Sequence, residues 1–168
     1  MKKSFSLFVV AVLAGLFVAQ SSFAIQDPDA PGTKLVTIQA GGGPGFGGFV
    51  SGSIAMANLG ASHLYGGLQL GVDLHNGFDS KRTDLSLAPR ISLGFNLSQV
   101  IELHFGGLAG IAMRKISADG FSPDPSLLFC YGGLGGFRFN ISPSVGIILE
   151  GCYSNCLPYG TGGIALRF

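Results

Sequence analysis

Tryptophan is absent from this 168-residue chain, cysteine and histidine each occur only three times, and 11% of the residues are charged. An ordinary soluble domain carries roughly 25% charged residues, so this composition cannot supply a water-facing surface of the usual kind. A formal net charge of +1 gives no basic field for phosphates and excludes nucleic-acid binding. Disorder needs low hydrophobicity with high net charge, whereas 47% of this chain is hydrophobic. Long apolar runs are scarce as well. Only Phe5 to Ala19 approaches the roughly 18 residues of a membrane helix, so a helical bundle is excluded. What the chain has in quantity is Gly (28) and Phe (14).

The apolar run belongs to a targeting segment. Lys2 and Lys3 precede it, and Ser21-Ser22-Phe23-Ala24 offers small residues at −3 and −1 of a cleavage point after Ala24. This is the layout of a secretory signal peptide. Residues 1–24 are expected to be removed on export, leaving residues 25–168 as a single domain. No Cys follows the run, so lipoprotein processing is not indicated.

The remainder alternates with period two, which gives a strand two unlike faces. In Asp84 to Leu97, Leu85, Leu87, Pro89, Ile91, Leu93, Phe95 and Leu97 share one side, while Asp84, Ser86, Arg90, Ser92 and Asn96 share the other. Ile101 to Arg114 repeats the pattern, and Leu64 to His75, Leu127 to Ile141, Val145 to Ser154 and Tyr159 to Phe168 read likewise. Lys34 to Ala40 and Phe49 to Asn58 complete eight expected strands. Charge decides what the alternation means. Asp73, Asp84, Arg90, Glu102, Arg114, Arg138, Glu150 and Arg167 all lie on the small, polar face and none on the Leu/Ile/Phe face. A soluble barrel needs that polar face outside, yet it is too sparse in charge to solvate an exterior. The inverted arrangement fits: apolar residues face lipid and polar ones face a lumen. Closure follows, because an open edge in hydrocarbon strands unpaired backbone groups. The expected fold is an all-β, antiparallel, up-and-down transmembrane barrel of eight strands. Short connections at Asn96–Gln99 and Asn140–Pro143 alternate with longer polar links, His75–Thr83 and Lys115–Ser126, that hold Asp79, Lys81, Arg82, Asp119 and Asp124. Phe95, Phe139 and Phe168 fall near the short-turn rim, with Tyr131, Tyr153 and Tyr159 near the other, as in an aromatic girdle.

The final residues carry a motif. Thr161, Gly163, Leu166 and Phe168 match, in order, the polar, Gly, hydrophobic and terminal aromatic positions of the insertion signal of bacterial outer-membrane barrels. That resemblance implies an outer-membrane location and capture of the last strand by the barrel-assembly machinery. Edge pairing is the physical basis, since a strand with free backbone groups can add to another sheet edge. The turns Gly94–Ser98 and Phe137–Pro143 resemble those of small barrels of the OmpA membrane-domain, OmpX, OmpW and opacity-protein type. The functions of those barrels differ, and fold alone does not choose among them.

The lumen charges are balanced. Asp73, Asp84, Glu102 and Glu150 face Arg90, Arg114, Arg138 and Arg167, with His104 among them, and a narrow interior would force them to pair. An eight-stranded barrel has room for side chains or one small ligand, so a general porin is excluded. Two features keep transport open. Gly67, Gly71, Gly94, Gly106, Gly110, Gly132, Gly136, Gly146 and Gly163 point inward, which predicts a partly unfilled lumen. Pro89 removes a ladder donor in mid-strand. Barrels resembling OmpW are thought to pass small hydrophobic molecules sideways through a weakened wall, which makes Pro89 the candidate lateral opening; a local bulge is the plainer reading. The other functional reading is a surface-exposed structural or adhesive barrel of the OmpX or opacity type.

Enzymatic activity is not expected. His104 is followed by Phe105 and Gly106, so the His-x-Ser arrangement of the barrel deacylases is missing, and His104 is expected to join the lumen polar network. Gly41 to Gly47 is similar to a phosphate loop but lacks the Lys-Ser/Thr and the helix that would follow. No cofactor is implied, and no metal, because the His and Cys spacing is wrong for one. Of Cys130, Cys152 and Cys156, the first two face inward on neighbouring strands. That favours a Cys130–Cys152 disulfide, with Cys152–Cys156 as the alternative. The expected partners are outer-membrane lipid and a small hydrophobic solute, and the expected state is a monomer.

Overall fold

A computed structural model describes residues 30–43, 45–60, 62–77, 80–118 and 123–168. The expected export signal, Asp79 and Asp119 lie outside the described residues. Eight strands form one closed, all-antiparallel barrel in sequence order. They are β1 (Lys34–Gly42), β2 (Phe46–Asn58), β3 (Ser62–Asn76), β4 (Ser80–Asn96), β5 (Ile101–Ala118), β6 (Ser126–Asn140), β7 (Val145–Ser154) and β8 (Gly160–Arg167). Closure runs through β1 and β8, from Leu35 opposite Arg167 to Gly42 opposite Gly160. Lys34 and Phe168 exchange backbone hydrogen bonds of 3.0 and 2.9 Å at the foot of that seam.

The faces sort as the alternation requires. Leu68, Leu70, Leu85, Leu87, Ile91, Phe105, Ile111, Phe137, Ile147 and Ile164 are exposed on the outside, while Asp73, Asp84, Glu102, Arg138, Glu150 and Arg167 are each 4% exposed or less. Charge inside and hydrocarbon outside is the reverse of a soluble domain. The interior is not uniformly polar, however. Phe49, Ala88, Leu108, Leu134, Cys152 and Leu157 pack into an apolar cluster inside the barrel. Leu108 and Leu134 are inward positions, set between the glycines at 106 and 110 and at 132 and 136.

The inward glycines leave no void, contrary to expectation. A Cβ at Gly67 would overlap the Gly52 carbonyl, one at Gly136 the Leu149 carbonyl, and one at Gly163 the Ile38 carbonyl. At Gly71 it would stand 2.6 Å from Leu157 Cδ2, and at Gly94 2.7 Å from Glu102 Oε1. Side chains converge on the axis of a small barrel, so glycine is where neighbouring strands and larger side chains already fill the space.

The strands differ in length. A span takes about 9–11 residues, which β1 (9) and β7 (10) meet and β8 (8) falls just short of. β4 (17) and β5 (18) exceed it greatly. The β2–β3, β4–β5 and β6–β7 connections lie at the end where Lys34 meets Phe168, and those between β1 and β2, β3 and β4, β5 and β6, and β7 and β8 lie at the loop end. The long link expected at His75–Thr83 is mostly strand: Lys81 and Arg82 pair with Asn76 and His75. β6 overhangs β7, because their pairing starts only at Gly132 opposite Ser154. Asn155 covers the overhang at Phe129 and Tyr131. Its amide nitrogen donates to the Phe129 carbonyl (2.8 Å), and its Oδ1 accepts from the Tyr131 N–H (3.0 Å).

Candidate functional site: the lumen

Three tiers of polar side chains stack along the axis. Nearest the closed-seam end, Arg138 of β6 pairs with Glu102 of β5, donates to the Tyr65 hydroxyl of β3 (3.2 Å) and lies 5.5 Å over that ring. Arg167 of β8 reaches the same Glu102 (3.4 Å) and donates to Asn140 Oδ1 (3.2 Å). His63 lies beside this tier, 2.9 Å from Asn96 Nδ2. In the middle, Arg90 of β4 meets Glu150 of β7 through both oxygens, at 2.6 and 3.2 Å, and also donates to Gln69 (3.1 Å). His104 Nε2 stands 3.1 Å from the same Glu150. Thr161 donates to Gln39 (2.8 Å), and Thr37 and Ser51 share a 2.7 Å hydrogen bond. At the loop end, Arg114 donates to both carboxylate oxygens of Asp84 (2.8 and 2.7 Å), and Arg82 approaches Asp84 at 3.3 Å. His75 lies 3.1 Å from Asp73.

Every expected lumen residue thus points inward and has a partner. Bidentate arginine–carboxylate contacts fix orientation as well as charge. The pairs β3–β6, β4–β7 and β5–β8 are each three strands apart, so these ties cross the lumen rather than follow the wall. Among Leu35, Thr37, Ser53, Tyr65, Glu102 and Ile148 only about 10 Å³ of free space remains. One water needs about 10–15 Å³.

The loop end is stoppered differently. Residues 156–158 turn into the barrel, burying Cys156 and Leu157 at 1% and 3% exposure. Above them a mouth of about 350 Å³ is lined by Asp73, His75, Arg82, Asn155 and Leu157 among others. A disulfide joins Cys156 to Cys130 across 5.9 Å between α-carbons, and Cys152 stays a buried thiol. The expected Cys130–Cys152 bridge is therefore corrected. Register explains the outcome: Leu134 stands opposite Cys152 and Gly132 opposite Ser154, so the place across from Cys130 falls at residue 156. Leu157 joins the lumen unannounced, since nothing in a Pro-containing loop marks it as turning inward.

Pro89 is exposed on the outer face, with its neighbour Ala88 inside. It stays in register with Leu68 of β3. Toward β5, pairing lapses between Leu87–Ile111 and Arg90–Leu108 and resumes in the same register. No bulge occurs there; the described bulge lies at Ala55 and Ala57. In β8, Thr161 faces the lumen and Leu166 and Ile164 face outward. Among the described residues no group of three or more His, Cys, Asp or Glu could hold a metal.

No family model matches the chain, and no curated protein matches it in sequence. Solved structures do match. The barrel is similar to Ail, the attachment invasion locus protein of Yersinia pestis, at 15% identity and TM-score 0.52, over 83% of this chain and 100% of that one. Neisserial surface protein A is similar at 11% identity and TM-score 0.52, covering 81% and 94%. A major outer membrane protein of Thermus thermophilus follows at 14% and 0.52, covering 81% and 99%. This chain has the fold of the eight-stranded outer-membrane β-barrels.

Proposed function

We propose that the protein sits in a bacterial outer membrane as a sealed, monomeric barrel and acts at the cell surface, in a structural or adhesive role, without conducting solutes. One observation carries this reading: Arg90–Glu150, Arg138–Tyr65 and Arg167–Glu102 tie strands three places apart across the lumen, and the space beside Arg90, Glu102 and Arg138 is about 10 Å³. The apolar exterior supports membrane residence, and the Thr161, Gly163, Leu166 and Phe168 pattern supports delivery through the assembly machinery. With the loop end outward, the long β3–β6 wall rises beyond the bilayer and offers Lys81, Lys115 and their neighbours to the surroundings. The test pairs two measurements on the full-length protein. Planar-bilayer recording and liposome swelling should give no conductance and no uptake. Adhesion of cells displaying it to protein-coated surfaces should fall when residues 119–125 are shortened. Steady conductance by the unmodified barrel overturns the reading.

A second reading, lateral passage of small apolar solutes, is favoured by the lapse in pairing at Ala88–Pro89 beside the interior cluster of Ala88, Leu108 and Leu134. Pro89→Val should then abolish uptake of an apolar dye into proteoliposomes. Unchanged uptake removes the lateral route.

A further inference from the structure

The outer wall carries a second band of glycines, unlike the first. Gly107, Gly133, Gly135, Gly151 and Gly160 lie on the outward face of β5 to β8 and meet one another across the ladders, as in Gly107–Gly133, Gly135–Gly151 and Gly151–Gly160. A Cβ at Gly160 would meet nothing within 4 Å. One at Gly133 or Gly151 would meet only carbonyl oxygens at 3.7–3.9 Å. The inward glycines are demanded by barrel closure; of the outward ones only Gly135 is crowded, where a Cβ would stand 3.0 Å from Phe105 Cδ1.

Where Gly133, Gly135 and Gly151 lie, the outer surface has a shallow, open groove of about 730 Å³ bordered by Phe105, Tyr153 and Tyr159. A cavity of about 420 Å³ continues from it past Tyr131, Gly132 and Ser154 to Leu108, a lumen-facing residue. It lies at the notch where β6 overhangs β7, so the depression passes from the outer face toward the interior cluster. Among the described residues no charged side chain lines either part. Tyr153 is 84% exposed, Tyr131 57% and Tyr159 49%, all toward the loop end. Amphipathic aromatic rings stand at the level of lipid headgroups.

We propose that this groove binds one acyl chain of an outer-leaflet membrane lipid, the tail lying along the glycine floor with its headgroup end at the tyrosine-ringed β6–β7 notch. The occupant follows from place: the groove is continuous with the wall that faces hydrocarbon, it is apolar, and its mouth is ringed by tyrosine hydroxyls suited to the headgroup boundary. The inference rests on the membrane placement proposed above and is independent of whether the lumen conducts.

Because the chain has no Trp, a single indole can report. Tyr153→Trp is reconstituted in vesicles of phospholipid with brominated acyl chains, bromines being set at several depths, beside Leu87→Trp on the far wall as a control. Heat-modifiable gel mobility verifies folding of each variant. Stronger quenching at Tyr153→Trp than at Leu87→Trp is expected at matched depth. Adding Gly133→Leu and Gly151→Leu, which fill the groove from outside, should reduce that quenching to the control's level. Equal quenching at both positions, or quenching indifferent to the filling substitutions, overturns the groove. A groove-dependent dimer in sedimentation assigns it to a second copy instead and equally overturns lipid binding. If Leu87→Trp itself is unquenched, the membrane placement fails along with the groove.

Discussion

Arg90 and Glu150 meet across the lumen from strands three places apart, with two contacts of 2.6 and 3.2 Å, and both are more than nine-tenths buried. A charge pair so placed stabilises the fold chiefly by leaving neither partner alone. Taking two ions out of water costs several kcal/mol each, which only close geometry offsets.

Removing one partner should therefore be worse than removing both. Glu150→Ala leaves Arg90 buried without its carboxylate and is expected to cost about 3–5 kcal/mol. The joint Arg90→Met, Glu150→Leu variant should recover most of that loss. Urea unfolding of the barrel in lipid vesicles compares the two variants with the parent.

The two kinds of glycine make a second prediction. Gly136→Ala thrusts a methyl into the Leu149 carbonyl and Glu150 backbone, an overpacking expected to cost about 1–3 kcal/mol. Gly160→Ala meets open space and should stay within roughly 0.5 kcal/mol of the parent. The same unfolding assay compares them. Equal effects would mean that wall curvature does not dictate where glycine falls.

Thiol chemistry gives a third. Non-reducing peptide mass spectrometry should find Cys130 joined to Cys156. Cys152, 5% exposed, should resist alkylation in the folded barrel and react fully once it is unfolded. A Cys130–Cys152 peptide as the main species would contradict the register of β6 against β7.

A fourth concerns the inward loop. Leu157→Ala vacates the space beside Gly71 and Phe49, and a buried leucine truncated in this way costs about 2–5 kcal/mol. With the inner tiers intact, bilayer conductance should remain absent. If the smaller side chain alone opens a current, the charged tiers do not seal the barrel.

Much of this was legible from alternation. The bounds of β7 agree residue for residue with Val145 to Ser154, and the charged faces fell where expected, because hydrocarbon outside the barrel enforces the pattern at every second residue. The pattern failed where that pressure ends. Ser80 to Thr83 reads as loop because it is polar on both faces, yet it continues β4 against β5, with Arg82 opposite Ile116; a strand beyond the span keeps its ladder and loses its greasy side. Leu108 and Leu134 are hidden for the converse reason: they are apolar inside, among glycines that make the inner face look empty. The disulfide depended on an offset between strands that period two does not encode.

Asn155 has a consequence of its own. Its side-chain amide stands where the peptide group of an adjoining strand would, giving and taking the hydrogen bonds that Phe129 and Tyr131 offer beyond the top of β7. An uncovered margin of that sort is a template for polypeptide addition. The parapet of this barrel is thus occupied at Phe129 and Tyr131 against strand-by-strand growth, by a single residue next in the chain to the cystine.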